Sequence, residues 1–499
     1  MNQLNLTPTI LLMVIFSYFL FLYFIAHKTS KGANNLDFYN ASKSSPWFVV
    51  AFGMVGASLS GVTFISLPGS ILNNQFGYFQ MVMGYTVGYA VIMFVLLPLY
   101  YRLNLVSIYG YLHQRFGYFS QKTGSVFFIL SRIVGASFRM YLMTMVLHDF
   151  IFVHFGVPFW LTLLTSLALI WSYTVKGGIK TIIWTDTLQT LFMIIAVIAA
   201  VMTIASYLKL DFQMIYKEIS NSQYSQVLFF EGGWQDKNNF FKQFLGGAFI
   251  AIVMTGLDQD MMQKNLSCKN LKESQKNIRW FFVVLVIVNI FFMALGALLY
   301  IYAEKMGIAL ITNADGTIIT DKTFPNIALN HMPAYLGIVF LVGLLAAAYS
   351  TADSALTSLT TSFCVDIIGD INIAKMKRFL IHVGFTCILF ITILIFRYIL
   401  EASAIQNLFR MAGFTYGPLL GLFTFGMFSK KTIKDKYVPY LALMAPILTY
   451  FLDIYSEQLL FGYKFGFELL LVNGAIMVLG LKLVSKPELH REIVQKANI

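Results

Sequence analysis

Long apolar runs alternate with short polar connections along almost the whole chain. They predict membrane-spanning helices, because a helix needs about 20 apolar residues to cross a bilayer. The thirteen predicted spans cover residues 7–26, 47–70, 78–101, 124–154, 157–174, 181–208, 241–262, 280–303, 334–366, 378–398, 404–428, 438–455 and 463–484. No basic stretch precedes segment 7–26, which we therefore interpret as a retained span and not a cleaved signal peptide. The pattern indicates an all-α polytopic membrane protein.

Composition and charge agree with this fold class. Of the 499 residues, 58% are hydrophobic and only 12% are charged, which is too little polar surface for a soluble domain. The net charge of +12 is spread over short loops, as the positive-inside rule expects, so we expect a lipid bilayer and no nucleic acid as partner. Most basic loops are cytoplasmic if the N-terminus is outside and the C-terminus inside. The predicted location is the cell membrane.

Two spans contain residues that are poor choices for a continuous lipid-facing helix. The second span, from Gly53 to Gly69, is rich in glycine, hydroxyl residues and a proline. It predicts a broken helix whose polar groups line a cavity, although close helix packing through small residues is the alternative. A second such break follows Thr255 and Gly256 in the seventh span, five spans later. This spacing is expected of two five-helix units with inverted topology.

The ninth span carries a stripe of hydroxyl groups with one carboxylate. Ser350, Asp353, Ser354 and Thr357 fall on one helical face, and Thr351 lies beside it. Oxygen ligands without sulfur or imidazole favour a hard cation such as Na⁺. The alternative is that the hydroxyls bond back to their own helix.

Buried charges in two other spans are further candidates. Asp186 in the sixth span is a functional candidate because ionisable groups are costly inside a membrane. Its alternative is an interfacial acid paired with Lys176 or Lys180. Arg132 and Arg139 share a face of the fourth span and could meet an anionic solute or pair with a carboxylate.

The third span opens with an aromatic residue and an amide. Phe79 and Gln80 could face the same cavity as the broken second span. For Phe79 alone, packing in the core is the alternative.

Six segments, in this order and spacing, resemble the sodium/solute symporter family. They are GASLSGVTFISLPG (56–69), YLHQRFG (111–117), GGIKTIIWTDTLQ (177–189), DQDMMQKNLSCK (258–269), STADSALTSLTTSF (350–363) and GPLLGLFTFGMF (417–428). The resemblance implies a LeuT-like fold with an extra N-terminal helix. It divides the chain into an N-terminal helix and cytoplasmic loop (1–45), a first inverted repeat (46–209), an extracellular loop (210–240), a second inverted repeat (241–430) and two C-terminal helices with a cytoplasmic tail (431–499).

The resemblance also implies which residues bind ions and solute. A first Na⁺ would be held by backbone oxygens of Gly56, Leu59 and Ala347 and by the hydroxyls of Ser350 and Thr351. A second Na⁺, as in relatives similar to sialic acid transporters, would use Asp186, Ser350, Asp353 and Ser354, and Asp353 departs from the usual small or hydroxyl residue. The implied solute contacts are Ser58, Ser60, Thr63, Phe79 and Gln80, with an arginine that is either Arg132 or Arg139.

The predicted function is Na⁺-coupled symport of a small organic solute, such as a sugar, a sialic acid or an organic acid, into the cell by alternating access. The alternatives are a transporter-like sensor and a channel without coupled uptake. An intramembrane enzyme is not expected, because the chain has no HExxH pair, no GxGD motif and no Ser–His dyad.

Overall fold

The computed structural model describes residues 7–32, 34–313, 315–399 and 404–486, and these are mostly helical. We label the principal helices α1 (Pro8–Thr29), α2 (Trp47–Asn74), α3 (Tyr78–Arg102), α4 (Tyr118–Phe150), α5 (Phe159–Gly177), α6 (Ile179–Tyr207), α7 (Phe240–Gly256), α8 (Gln259–Asn265), α9 (Leu271–Met306), α10 (Ala334–Ile368), α11 (Lys375–Ile399), α12 (Ala404–Phe428), α13 (Val438–Ile454) and α14 (Leu469–Leu483). The shorter helices are Asn35–Asn40, Gly110–Arg115, Phe212–Ser220, Thr323–Asn330 and Ser456–Leu459. Strands β1 (Thr432–Ile433) and β2 (Ser485–Lys486) pair in an antiparallel manner. The predicted cytoplasmic tail after residue 486 lies outside the described residues.

The fold class predicted from the sequence is confirmed. Ten of the described helices are long and apolar enough to cross a membrane, and α7 with α8 forms a further candidate that bends by 68°. Helices α5 and α14 are apolar but shorter. All these segments coincide with predicted spans, but the two short helices leave the count of thirteen a prediction. The predicted repeats contain α2–α6 and α7–α12, and the division between them also stays a prediction.

Helices α2, α6, α9 and α10 pack together in the interior. Small residues allow the close approach: a Cβ added to Gly61 of α2 would lie 3.3 Å from Ala348 Cβ of α10. A Cβ on Gly343 of α10 would overlap Ala196 of α6. Helix α1 packs outside this core, against α5, α6 and α10. The hydroxyl stripe of α10 is therefore enclosed by protein and does not face lipid.

The two predicted helix breaks are both present. Within α2, Ser60 has φ 41° and ψ 169°, which interrupts the helix at its middle. The second break separates α7 from α8, where the Asp258 side chain caps α8 by accepting the amide N–H of Asp260 at 2.9 Å. Tyr100 and Tyr109 donate hydrogen bonds of 2.9 Å to the carbonyls of Gly256 and Leu257. The protein thus satisfies the backbone groups that the second break frees.

Candidate functional site

A polar cavity lies beside the break in α2. The space inside it that water-sized molecules can occupy is about 70 Å³. The predicted residues Ser58, Ser60, Thr63, Arg132 and Arg139 all line it. Sequence reasoning missed other lining groups, among them Tyr78, Tyr85 and Tyr89 of α3 and Asn289 of α9. The three tyrosines recur at helical spacing, and this signal was available in the sequence.

The two arginines of this cavity have different surroundings. Arg132 forms an ion pair with Asp260, and its Nη1 lies 3.9 Å from Asp258 Oδ2. Tyr416 also donates a hydrogen bond of 2.5 Å to Asp258. Arg139 is only 6% exposed, yet it makes no hydrogen bond or ion pair with any residue that the structure describes, and its Nε is buried without a partner. Of the two, Arg139 is therefore the cation that is available to a ligand.

The structure does not bring Gln80 or Phe79 to the cavity wall. The Gln80 side chain donates to the carbonyl of Asn238 at 2.9 Å and accepts the amide N–H of Phe229 at 2.9 Å. The side chain thus holds the 209–239 connection against the start of α3 and has no free group for a solute. Phe79 is half-buried and packs against the core, which was its alternative interpretation.

The predicted cation ligands of α6 and α10 meet around one carboxylate. Ser350 Oγ donates to Asp186 Oδ1 at 2.7 Å, and Ser354 Oγ donates to Asp186 Oδ2 at 3.4 Å. Lys264 of α8 joins them, with its Nζ 2.7 Å from Asp186 Oδ2. Asp186 therefore does not pair with Lys180 of its alternative interpretation, because Lys180 Nζ lies 3.3 Å from Asp37 Oδ2. The side chain of Lys176, the other candidate partner, lies outside the described part of the chain.

Asp353 is held by a residue that the sequence did not indicate. Tyr173 of α5 donates its hydroxyl to Asp353 Oδ2 at 3.0 Å, while Asp353 Oδ1 is buried without a hydrogen-bond partner. The carboxylate does not pair with Arg139. Within the part of the chain that the structure describes, no group of three or more His, Cys, Asp or Glu side chains is arranged for a metal ion. The hydroxyl and carboxylate oxygens of α10 are of the type that a hard cation prefers.

The residues of the implied first Na⁺ site lie where α2 and α10 touch. The interruption at Ser60 ends the first half of α2, and the last carbonyls of a helical half lack regular partners. Gly56 and Leu59 belong to this turn. Thr351 Oγ1 donates to Ala347 O at 3.3 Å, and Ser350 and Thr351 are fully buried beside the contact between Gly61 and Ala348. Backbone carbonyls and side-chain hydroxyls thus come from both helices near this point, and oxygen atoms are the ligands that Na⁺ prefers.

Two broken helices, with a cavity between them that is lined in part by polar groups, define a secondary transporter of the LeuT type. A solved structure of a Na⁺-coupled sialic acid symporter, in a substrate-bound outward-open state, has the same fold: the TM-score is 0.79 over 96% of this chain and 99% of that chain, at 20% identity. The Sodium/sialic acid symporter NanT of Aliivibrio fischeri is 24% identical over 79% of this chain and 78% of its own length. A putative sodium-dependent multivitamin transporter of Drosophila melanogaster is 24% identical over 80% of this chain and 67% of its own.

The model of the sodium:solute symporter family matches residues 38–435. The chain belongs to this family, and it is a multi-pass membrane transporter that couples solute movement to Na⁺.

Proposed function

We propose that this symporter takes up a small organic acid and holds its negative group on Arg139. The observation that carries the proposal is the buried Arg139 guanidinium, which faces the cavity without an ion pair among the described residues. A buried charge is costly unless it is paired, so the cavity is adapted to an anion. The sialic acid that the relatives' names give as their solute is itself a carboxylic acid.

The rest of the cavity supports a solute with further polar groups. Ser58, Ser60 and Thr63 supply hydroxyl groups, and the tyrosines of α3 supply amphipathic rings. Planar bidentate hydrogen bonding makes an arginine well suited to a carboxylate. An organic acid that also carries hydroxyl or amide groups matches this lining.

Na⁺ would bind beside the solute, at the contact of α2 with α10. The proposed ligands are the backbone oxygens of Gly56, Leu59 and Ala347 and the hydroxyls of Ser350 and Thr351. An ion at this place contacts both helices, so it favours the arrangement that holds them together and raises the affinity for the solute by linkage.

The proposed direction is uptake, with the N-terminus outside and the C-terminus in the cytoplasm. The connections that follow α1 and α3, which carry basic residues, contact each other, since Lys43 Nζ lies 2.5 Å from Asn104 Oδ1. The connection after α3 also contacts the end of α12, where Arg115 Nε donates to Gly426 O at 3.1 Å. Asn35 reaches Ile373 O on the same face at 3.0 Å. Under the positive-inside rule this basic face is cytoplasmic.

The test is uptake into proteoliposomes with an inward Na⁺ gradient, compared with K⁺ in its place. The panel contains labelled sialic acid, lactate and pantothenate as acids and glucose as an uncharged solute. We expect Na⁺-dependent, saturable uptake of at least one acid and none of glucose. Accumulation of glucose and none of the acids would overturn the assignment of Arg139 to an anionic group.

A further inference from the structure

A lysine nitrogen lies where the family resemblance places a second Na⁺. The bend of 68° between α7 and α8 turns α8 into the protein, so that Lys264 is only 1% exposed. Its Nζ lies 2.7 Å from Asp186 Oδ2. Lys264 follows the predicted seventh span, 241–262, so in the sequence it has the position of a basic residue in a connection between spans. In the structure it is instead buried inside the protein.

Both oxygens of the Asp186 carboxylate accept hydrogen bonds from neighbouring side chains. Lys264 and Ser354 donate to Oδ2 at 2.7 and 3.4 Å, and Ser350 donates to Oδ1 at 2.7 Å. A Na⁺ ion at this place would need these oxygens as ligands and would lie within a few ångströms of the ammonium group. Two cations at such a distance repel strongly in a buried site. The residues present therefore do not fit a second Na⁺ while Lys264 is there.

The Lys264 ammonium is paired with Asp186 and with no other acid that the structure describes. Among the described residues, its ammonium group makes no hydrogen bond other than the one to Asp186. The acids closest in sequence, Asp258 and Asp260, already face Arg132. Asp353 accepts its hydrogen bond from Tyr173. Removal of Lys264 from Asp186 would leave two buried charges without partners, which is unfavourable.

We infer that the Lys264 ammonium serves as a built-in cation at the second site, so that the protein binds one Na⁺ and not two. This inference rests on the proposed Na⁺ site of Gly56, Leu59, Ala347, Ser350 and Thr351. The lysine takes the structural role of a permanently bound cation. Its ion pair with Asp186 joins α8 to α6, and Ser350 and Ser354, which donate to the same carboxylate, join both helices to α10. Each transport cycle is then driven by the electrochemical gradient of one Na⁺ ion.

The experiment counts Na⁺ ions bound to the purified full-length protein with radiolabelled Na⁺, at constant ionic strength with choline as the balancing cation. We expect one ion per chain for the wild type and for Lys264→Arg, which keeps the charge. Lys264→Gln frees the Asp186 carboxylate, so we expect two ions per chain. A wild-type count of two, or a count of one for folded Lys264→Gln, overturns the inference.

A second variant covers the case in which Lys264→Gln does not fold. In Asp186→Asn/Lys264→Gln both buried charges are removed together, so the protein should remain folded and bind one ion. A count of two in this double variant shows that Asp186 is not the ligand of the additional ion and also overturns the inference. If the wild type shows no saturable Na⁺ binding, the proposed Na⁺ site itself fails, and this outcome is distinct from a count of two.

Discussion

The backbone N–H of Gly56 donates a hydrogen bond of 2.9 Å to Thr190 Oγ1. Thr190 Oγ1 in turn donates to the carbonyl of Asp186 at 2.8 Å, so this one hydroxyl joins α2 to α6. The contact requires glycine at position 56, because an added Cβ would overlap Thr190 Oγ1. Thr190 therefore fixes the orientation of the Gly56 peptide, whose neighbouring carbonyls are the proposed Na⁺ ligands.

Gly56→Ala should weaken Na⁺ binding several-fold and lower the thermal stability. Overpacking of this kind costs about 1–3 kcal/mol. Thr190→Ala removes the oxygen that the new methyl group would overlap, so Gly56→Ala/Thr190→Ala should be more stable than Gly56→Ala alone. Radiolabelled Na⁺ binding and thermal unfolding measure the two effects. Gly384→Ala is the matched control, because a Cβ at Gly384 meets nothing within 4 Å; equal losses in both glycine variants would contradict the explanation.

The fold was predictable from the sequence because hydropathy decides where helices cross a membrane. The same reasoning located both breaks, since glycines, hydroxyl residues and Asp258 are unfavourable in a lipid-facing helix. It also identified Ser350, Ser354 and Asp186, because a polar group that is buried in a membrane needs a partner. In the structure Ser350 and Ser354 both donate to Asp186, so these three residues lie together.

The partners of these groups were not predictable from the same signals. Lys264 follows a polar break, and only the bend between α7 and α8 turns its side chain inward. Tyr173 comes from a helix whose sequence gives no sign that it faces Asp353. Gln80 was assigned to the cavity from its position at the start of a span, but a long connection folds back and takes both of its amide atoms. Such long-range contacts depend on tertiary packing and not on local pattern.

Ser350→Ala and Thr351→Ala should each raise the Na⁺ concentration for half-maximal binding, because each removes a proposed oxygen ligand. Ser350→Ala should have the larger effect on stability, since it also removes a donor to Asp186. A lost hydrogen bond to a charged group costs about 1.5–3 kcal/mol. The control is Ser358→Ala on the same buried helix, whose hydroxyl bonds only to Ala355 O at 3.0 Å. If all three variants retain the wild-type Na⁺ affinity, these hydroxyls do not bind Na⁺.

Arg139→Gln and Arg132→Gln should fail in different ways. Arg139→Gln should leave the protein folded and raise the half-saturating concentration of the transported acid about tenfold to a hundredfold, through loss of a charge-assisted hydrogen bond. Arg132→Gln leaves Asp260 buried without its cation and should destabilise the fold by about 3–5 kcal/mol.

A double variant separates these two roles. Arg132→Gln/Asp260→Asn removes the ion pair as a whole and should recover much of the stability that Arg132→Gln loses. Uptake kinetics and thermal unfolding of the same preparations are the measurements. An Arg139→Gln variant that is unstable but has normal affinity would show that Arg139 is structural.

The last prediction concerns Asp353, whose single described hydrogen-bond donor from another side chain is Tyr173. Tyr173→Phe leaves the buried carboxylate without this donor, so we expect a loss of about 1.5–3 kcal/mol in stability. Asp353→Ala removes the charge together with its need for a donor, and it should be much less destabilising than Tyr173→Phe. Tyr173→Phe/Asp353→Ala should then resemble Asp353→Ala, because the two side chains act through one bond. Na⁺ binding should be unchanged in Asp353→Ala, since Tyr173 and not an ion faces Oδ2. If Asp353→Ala instead raises the half-saturating Na⁺ concentration as much as Ser350→Ala does, Asp353 is a cation ligand, and its free Oδ1 is the atom through which it binds.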